Sequence, residues 1–285
     1  MRWVWVTVGL LAAVALLTAC GSSSSSTSSA RTTYYVSVGD SLSVGTQPNS
    51  SGQSVRTNQG YADQLYNSLR SSRPGLQLVK LGCPGETTET MTQGGKCQYA
   101  QGSQMGAATA FLRAHQGSVA FLTIDMGAND VDSCAPGGNV DVNCVLTGFK
   151  RIQNQLPAIL QQLRAAGGPQ LPIVGMNLYD PFLAQYLNGP GGQTVATASV
   201  SFADQLNGDF ASIYRAAGDP MADVAAAFST DDRTPTDLAG HGTVPTNVAR
   251  ICQWTWMCTP KPVGPNIHAN ATGYQMIAAA FRPLV

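Results

Sequence analysis

The sequence is short of charge. Only 11% of its 285 residues are Asp, Glu, Lys or Arg, and 16 cations balance 16 anions. It has no basic run and no interleaving of aromatic with basic residues, which argues against a nucleic-acid partner. Histidine is scarcer still, with three copies. No Cys-x-x-Cys pair or cysteine–histidine cluster offers zinc a ligand set, so neither a metal nor any other cofactor is expected. No internal repeat is present. What remains is a 44% hydrophobic chain, long enough for one generous domain or two small ones and for a substantial core.

The N-terminus stands apart. Arg2 precedes a nearly unbroken apolar stretch from Trp3 to Leu17, too short to span a bilayer comfortably and followed by small residues, as in a secretion signal. Leu17-Thr18-Ala19-Cys20 resembles a bacterial lipobox. The resemblance implies a lipoprotein signal over residues 1–19, cleavage before Cys20 and lipid on its thiol, anchoring the exported protein to the bacterial membrane or envelope. Residues 20–30, almost pure serine after Gly21, have nothing to bury and read as a flexible tether. The folded domain is therefore expected over residues 31–285.

Six further cysteines fall into close couples. In an oxidising compartment they suggest disulfides Cys83–Cys97, Cys134–Cys144 and Cys252–Cys258, among the 15 pairings that six cysteines allow. Tyr34–Val38, Leu76–Leu81, Val119–Ile124, Leu171–Leu178 and Met221–Val224 read as strands. Tyr61–Leu69, Gln104–Arg113, the stripe from Val145 to Leu163, Thr194–Ala217 and the segment around Tyr274–Phe281 read as helices. Pro157 predicts a kink or break in the third of these. Residues 229–265 lack clear periodicity and read as one long loop. The alternation implies an α/β protein with a parallel sheet of about five strands covered by helices. Such sheets bind ligands at the carboxyl ends of their strands.

Three polar stretches occupy those ends. Val38-Gly39-Asp40-Ser41-Leu42 follows strand one and can present a serine hydroxyl, though Gly, Asp and Ser also make plain turns. Leu81-Gly82-Cys83-Pro84-Gly85-Glu86 follows strand two, where glycine lets a backbone N–H approach a ligand closely; a disulfide-braced loop would look the same. Met126-Gly127-Ala128-Asn129-Asp130 follows strand three, and an asparagine amide there is either an oxyanion donor or a helix cap. Ahead of the last helix comes Asn266-Ile267-His268-Ala269-Asn270. A serine nucleophile needs a nearby base, and imidazole titrates in the useful range. His115, near a helix end, and His241, in the long loop, read as surface residues, so His268 is the better base.

Taken in order and spacing, these four stretches resemble the GDSL, or SGNH, hydrolase family, from Tyr34 to Phe281. The resemblance implies a flavodoxin-like three-layer α/β/α sandwich and hydrolysis of carboxylic esters, as by an esterase or lipase. It implies Ser41 as nucleophile and His268 as base, with an oxyanion hole from the backbone N–H groups of Ser41 and Gly85 and the amide of Asn129. No cofactor is implied. The expected partner is a small-molecule, lipid or polysaccharide ester, met by a monomer.

One departure matters. The family places an aspartate three residues before the histidine; here that position is Pro265, with uncharged Asn266 next. A backbone carbonyl in the proline-stiffened loop could orient His268, the Asn266 amide could do so, or the site could be weak. The carbonyl is favoured at this point. Trp254, Trp256 and Met257 are candidates for an acyl pocket, or for plain packing inside a disulfide loop. Acyl transfer to an alcohol on the same fold, and a binding module on a degenerate scaffold, are the rival functions.

Overall fold

The computed structural model describes residues 1–5, 31–134 and 140–285. The expected signal and lipobox cysteine thus lie largely outside the described residues. Arg31–Val285 forms one compact unit, and no described helix is long and apolar enough to cross a membrane.

Five strands make the central sheet: β1 (Thr33–Gly39), β2 (Leu76–Lys80), β3 (Val119–Asp125), β4 (Ile173–Met176) and β5 (Met221–Ala222). All neighbours are parallel, in the order β2-β1-β3-β4-β5. The register pairs Val36 with Val79 on one side and with Leu122 on the other. Strands buried on both faces are continuous apolar runs because helices cover both sides. Along β1, Tyr35 points into one core and Val36 and Val38 into the other. The α-helices of the described residues are, in chain order, α1 (Tyr61–Leu69), α2 (Thr88–Gln93), α3 (Gln104–Ala114), α4 (Val142–Gly167), α5 (Gly189–Ala217), α6 (Val224–Ala227), α7 (Thr246–Trp254) and α8 (Ala271–Phe281). The first core is closed by α1 and α8, through Tyr61, Leu65, Tyr274 and Phe281. The second is closed by α3, α4 and α5, through Leu112, Ile152, Leu156 and Phe210. At roughly 25 cal/mol per Å² of apolar area, these two layers are the main stabilising term.

Three expectations change. Helix α4 runs unbroken from Val142 to Gly167 with Pro157 inside it. Flanking Leu156, Ile159 and Leu160 are buried, and their burial offsets the one backbone hydrogen bond that proline cannot make. Helix α5 begins at Gly189 rather than Thr194, with Pro190 in its first turn, where a missing N–H costs nothing. The long loop contains a hairpin of Pro235–Leu238 with Gly242–Pro245, and a helix Thr246–Trp254. That helix buries only one short face, Asn247, Val248, Ala249 and Ile251, too brief a repeat to stand out from its polar surroundings. The three close cysteine couples are the bonded pairs, Cys83–Cys97, Cys134–Cys144 and Cys252–Cys258, as suits an exported protein.

Candidate active site

The strand order reverses direction at β1, so the crevice over the carboxyl ends of β1 and β3 is where an open α/β sheet receives a ligand. Ser41 follows β1 and Asn129 follows β3. Gly39, at φ +136°, makes the sharp exit from β1, and any Cβ there would collide with the Asp125 backbone and carboxyl. Asp40 then turns inward. It is buried, and its carboxylate accepts from Leu42 N at 3.0 Å, from the Ser41 hydroxyl at a long 3.4 Å and from Asn129 Nδ2 at 3.1 Å. Asp125 supports the same turn from below, accepting from Ser43 N at 3.0 Å and from the Tyr61 hydroxyl at 2.8 Å. Burial pushes the Asp40 carboxyl up to about 6 and Asp125 well above the usual range. Two carboxyls in one dry layer without a cation resist double ionisation.

Asn129 is held from two sides. Its Nδ2 donates to Asp40 and, at 3.0 Å, to the Glu86 carbonyl. The amide is therefore aimed before any substrate arrives, and one of these bonds must give way for it to donate elsewhere. Asp130 ties the neighbouring loop in place, accepting from Thr88 N at 2.9 Å and Thr88 Oγ1 at 2.8 Å. Gln104 was not foreseen. It donates to the Gly39 carbonyl at 2.9 Å and to Glu86 Oε2 at 3.0 Å, and accepts from Gly39 N at 2.7 Å. Nothing in its local sequence, at the start of a helix, marks it out.

His268 lies on a short strand, Asn266–Ala269, paired antiparallel with Thr255–Trp256. The favoured backbone carbonyl is not its partner, and Pro265 makes no bond to it among the described contacts. Instead His268 Nδ1 sits 2.7 Å from Asn266 Oδ1, which also accepts the His268 backbone N–H at 3.1 Å. A backbone N–H is always a donor, so the atom it meets is the amide oxygen. Asn266 Nδ2 meanwhile donates to Ser54 Oγ at 3.2 Å, which agrees with that orientation. The proton of neutral His268 thus resides on Nδ1, and Nε2 keeps its lone pair. An asparagine two positions away can do this because its side chain closes an Asx-type turn on its own strand. Burial lowers the His268 pKa to about 4.

Ser41, Asn129 and His268 line one cavity of about 1010 Å³, mouth included. Beyond them its wall is mainly apolar, with Phe149, Leu178, Phe182, Val195, Phe202 and Leu206, and among the described residues no lysine or arginine contributes to it. Asp132 also faces this cavity, its carboxyl pushed up to about 7 by burial and by the nearby Asp40. The tryptophans suggested for this role are elsewhere. Trp254 packs edge-on against Phe228 at 5.3 Å and carries Arg250 at 4.9 Å; with Met257 it packs on the first core, and Trp256 does not line the cavity. Gly85, at φ +77°, lies on the β2 side of Ser41. His115 is more than a surface residue: it stacks on Phe111 at 4.1 Å and its Nδ1 is 2.9 Å from the Phe111 carbonyl. His241 is exposed, in the Pro235–Pro245 hairpin.

Known proteins share this architecture. A family model described as GDSL-like lipase/acylhydrolase matches residues 37–276. The extracellular lipase from Streptomyces rimosus is similar in structure, with a TM-score of 0.57 and 19% identity over 89% of this chain and 100% of that one. A phospholipase A1 from Streptomyces albidoflavus is similar at 0.56 and 20% identity, with the same coverage of both chains. A carbohydrate acetylesterase from Sinorhizobium meliloti reaches 0.50 and 13%, over 88% of this chain and 97% of that one. No curated protein sequence matches the chain significantly. With most of its length matched by the family model and a five-stranded sheet of the same kind, the chain belongs to the GDSL-like lipase/acylhydrolase family and is a carboxylic ester hydrolase of that serine-dependent class.

Proposed function

We propose that Ser41 attacks the ester carbonyl and that His268, held by Asn266 rather than by an aspartate, is its general base. The observation that carries this is the 2.7 Å contact between His268 Nδ1 and Asn266 Oδ1, which leaves Nε2 free to take the serine proton. In serine proteases, replacing the triad aspartate with asparagine costs about 10⁴ in rate, largely through the wrong tautomer. Here the amide oxygen faces the ring, so that part of the cost is absent. What is missing is a negative charge to stabilise imidazolium, so nothing offsets the burial that lowers the His268 pKa.

The steps follow from these groups. Ser41 Oγ bonds to the carbonyl carbon as its proton passes to His268 Nε2. The oxyanion is met by Ser41 N, Gly85 N and Asn129 Nδ2. The imidazolium then protonates the departing alcohol, leaving an acyl-enzyme on Ser41. Water, deprotonated by His268, attacks the acyl carbon, the Ser41 Oγ–acyl bond breaks to release the acid, and the imidazolium returns the proton to Ser41 Oγ. The acyl chain lies in the apolar cavity between Phe149, Phe182 and Phe202, so an aliphatic acyl group rather than a sugar-like one suits the site. Cys20 carries lipid and residues 20–30 tether the hydrolase to the envelope, as the Leu17–Cys20 resemblance and the exported character of three disulfides support.

The test is hydrolysis of p-nitrophenyl esters from acetate to palmitate by wild type and Ser41→Ala, with fluorophosphonate labelling followed by peptide mapping. Activity lost in the variant, with label on Ser41, is the expected result. An active Ser41→Ala, or label on another serine, would overturn the assignment.

A further inference from the structure

Gly85 carries a neighbour that its loop sequence does not announce. A Cβ on residue 85 would come within 2.6 Å of Lys96 Cε and 3.0 Å of Lys96 Nζ. The lysine therefore lies across the glycine assigned above as an oxyanion donor. The Cys83–Cys97 bond holds it there, joining the residue two before Gly85 to the residue after Lys96. Arg56 reaches the same disulfide, with Nη2 3.6 Å from Cys97 Sγ. Among the described residues no carboxylate lies within 4.0 Å of either cation. A second, shallow hollow opens beside Lys96, bordered by Lys96, Cys97, Gln98 and Tyr99.

The sheet order decides which part of a substrate meets these cations. The Gly85–Lys96 loop follows β2, on one side of β1, whereas Asn129 and the cavity walls follow β3 and β4 on the other. An ester whose carbonyl sits over Ser41, with its acyl chain in the apolar cavity, sends its alcohol portion toward the β2 side. Two unpaired cations there and none in the acyl cavity make a polarised site.

We infer that Lys96 and Arg56 form an anion-recognising subsite for the alcohol portion, so that the enzyme prefers esters whose alcohol bears a phosphate-type group. This rests on the assignment of Ser41 and the oxyanion donors made above. Both side chains are solvent-accessible, so each contact is screened by salt and is worth about tenfold at most at low ionic strength. Lys is a compact point charge and Arg a planar fork, and together they suit a phosphate better than a lone carboxylate.

The test uses a matched pair of substrates, 1-butyrylglycerol and 1-butyrylglycerol 3-phosphate, which differ only in the phosphate. The readout is the ratio of kcat/KM for the anionic to the neutral ester. Wild type is expected to favour the anionic ester by about tenfold or more at low salt, and the ratio should collapse toward one as salt rises. Lys96→Gln and Arg56→Gln should each lower the ratio severalfold, and Lys96→Arg should keep most of it. A wild-type ratio of one or below, or a ratio unmoved by both Gln variants, would overturn the inference. If neither ester is hydrolysed and fluorophosphonate leaves Ser41 unlabelled, it is the serine assignment that has failed. Hydrolysis of the neutral ester with a flat ratio sinks the subsite alone.

Discussion

The two flanks of Ser41 are built from different material. On the α5 side, Phe149, Phe182, Phe202 and Leu206 wall a cavity to which, among the described residues, no lysine or arginine contributes. On the β2 side, a segment that includes the short helix Thr88–Gln93 and is stapled by Cys83–Cys97 sets Lys96 against Gly85 and Arg56 against the disulfide. Phe149, Phe202 and Leu206 stand on the long helices α4 and α5, which also pack the second core, and Phe182 stands on the 3-10 helix Pro181–Asn188 that precedes α5. The polar flank adds Met91 to the second core and carries a covalent bond across its ends. A central β1 allows this division, because the loops after its two neighbours can diverge without disturbing the strand that carries the serine.

The most damaging way to break the comparison is to remove what both flanks share. Asn129→Ala takes away one oxyanion donor and should lower kcat by about 10²–10³, for neutral and anionic esters alike; steady-state kinetics on the butyryl pair checks it, and a loss confined to one ester would contradict it. Blocking the apolar flank comes next. Ala203→Trp fills the cavity, and the expected result is a loss of about tenfold or more for octanoate over acetate p-nitrophenyl esters, since overpacking costs about 1–3 kcal/mol. Equal loss at both lengths would mean the acyl chain lies elsewhere.

Opening the staple on the other flank is milder for activity. The double variant Cys83→Ala/Cys97→Ala releases a loop of 14 residues, worth about 3 kcal/mol of stability in the loop-entropy model. Thermal unfolding should shift down by several degrees, and the acetate-to-octanoate profile should stay as in wild type. The smallest effect concerns the base. The neutral form of His268 is the active one, and with a pKa of about 4 it persists well below the usual imidazole range. The acid limb of kcat/KM should therefore fall near pH 4 to 5. Asn266→Asp supplies a carboxylate beside Nδ1, favours imidazolium and should move that limb upward by about one to two pH units. A limb near 6.5 in wild type would show that His268 is not desolvated during turnover. Asn266→Ala should cost more than Asn266→Asp, because it removes the acceptor that sets the tautomer.

Much of the fold was legible. Helix α1 was read at Tyr61–Leu69, its observed bounds, because Tyr61, Leu65 and Leu69 recur at helical spacing. Strand β3 was read from a run of apolar residues that nothing but a two-sided core explains. The helix Thr246–Trp254 was missed because it buries barely more than one turn. Ser41, Asn129 and His268 were legible as residues at strand ends or ahead of a helix, but their partners were not. The sequence favours a backbone carbonyl over Asn266, since no spacing rule says which acceptor an imidazole two residues away will find.

Local sequence therefore determined the elements, the parallel α/β layering, the three close disulfide couples and the polar residues at the strand ends. These depend on periodicity and on neighbours a few positions apart. Only the tertiary structure decided which amide oxygen meets His268, which helices wall the cavity and that Lys96 crosses Gly85. Those contacts join residues that the chain brings together only by crossing the sheet or closing a disulfide, and no local propensity encodes them.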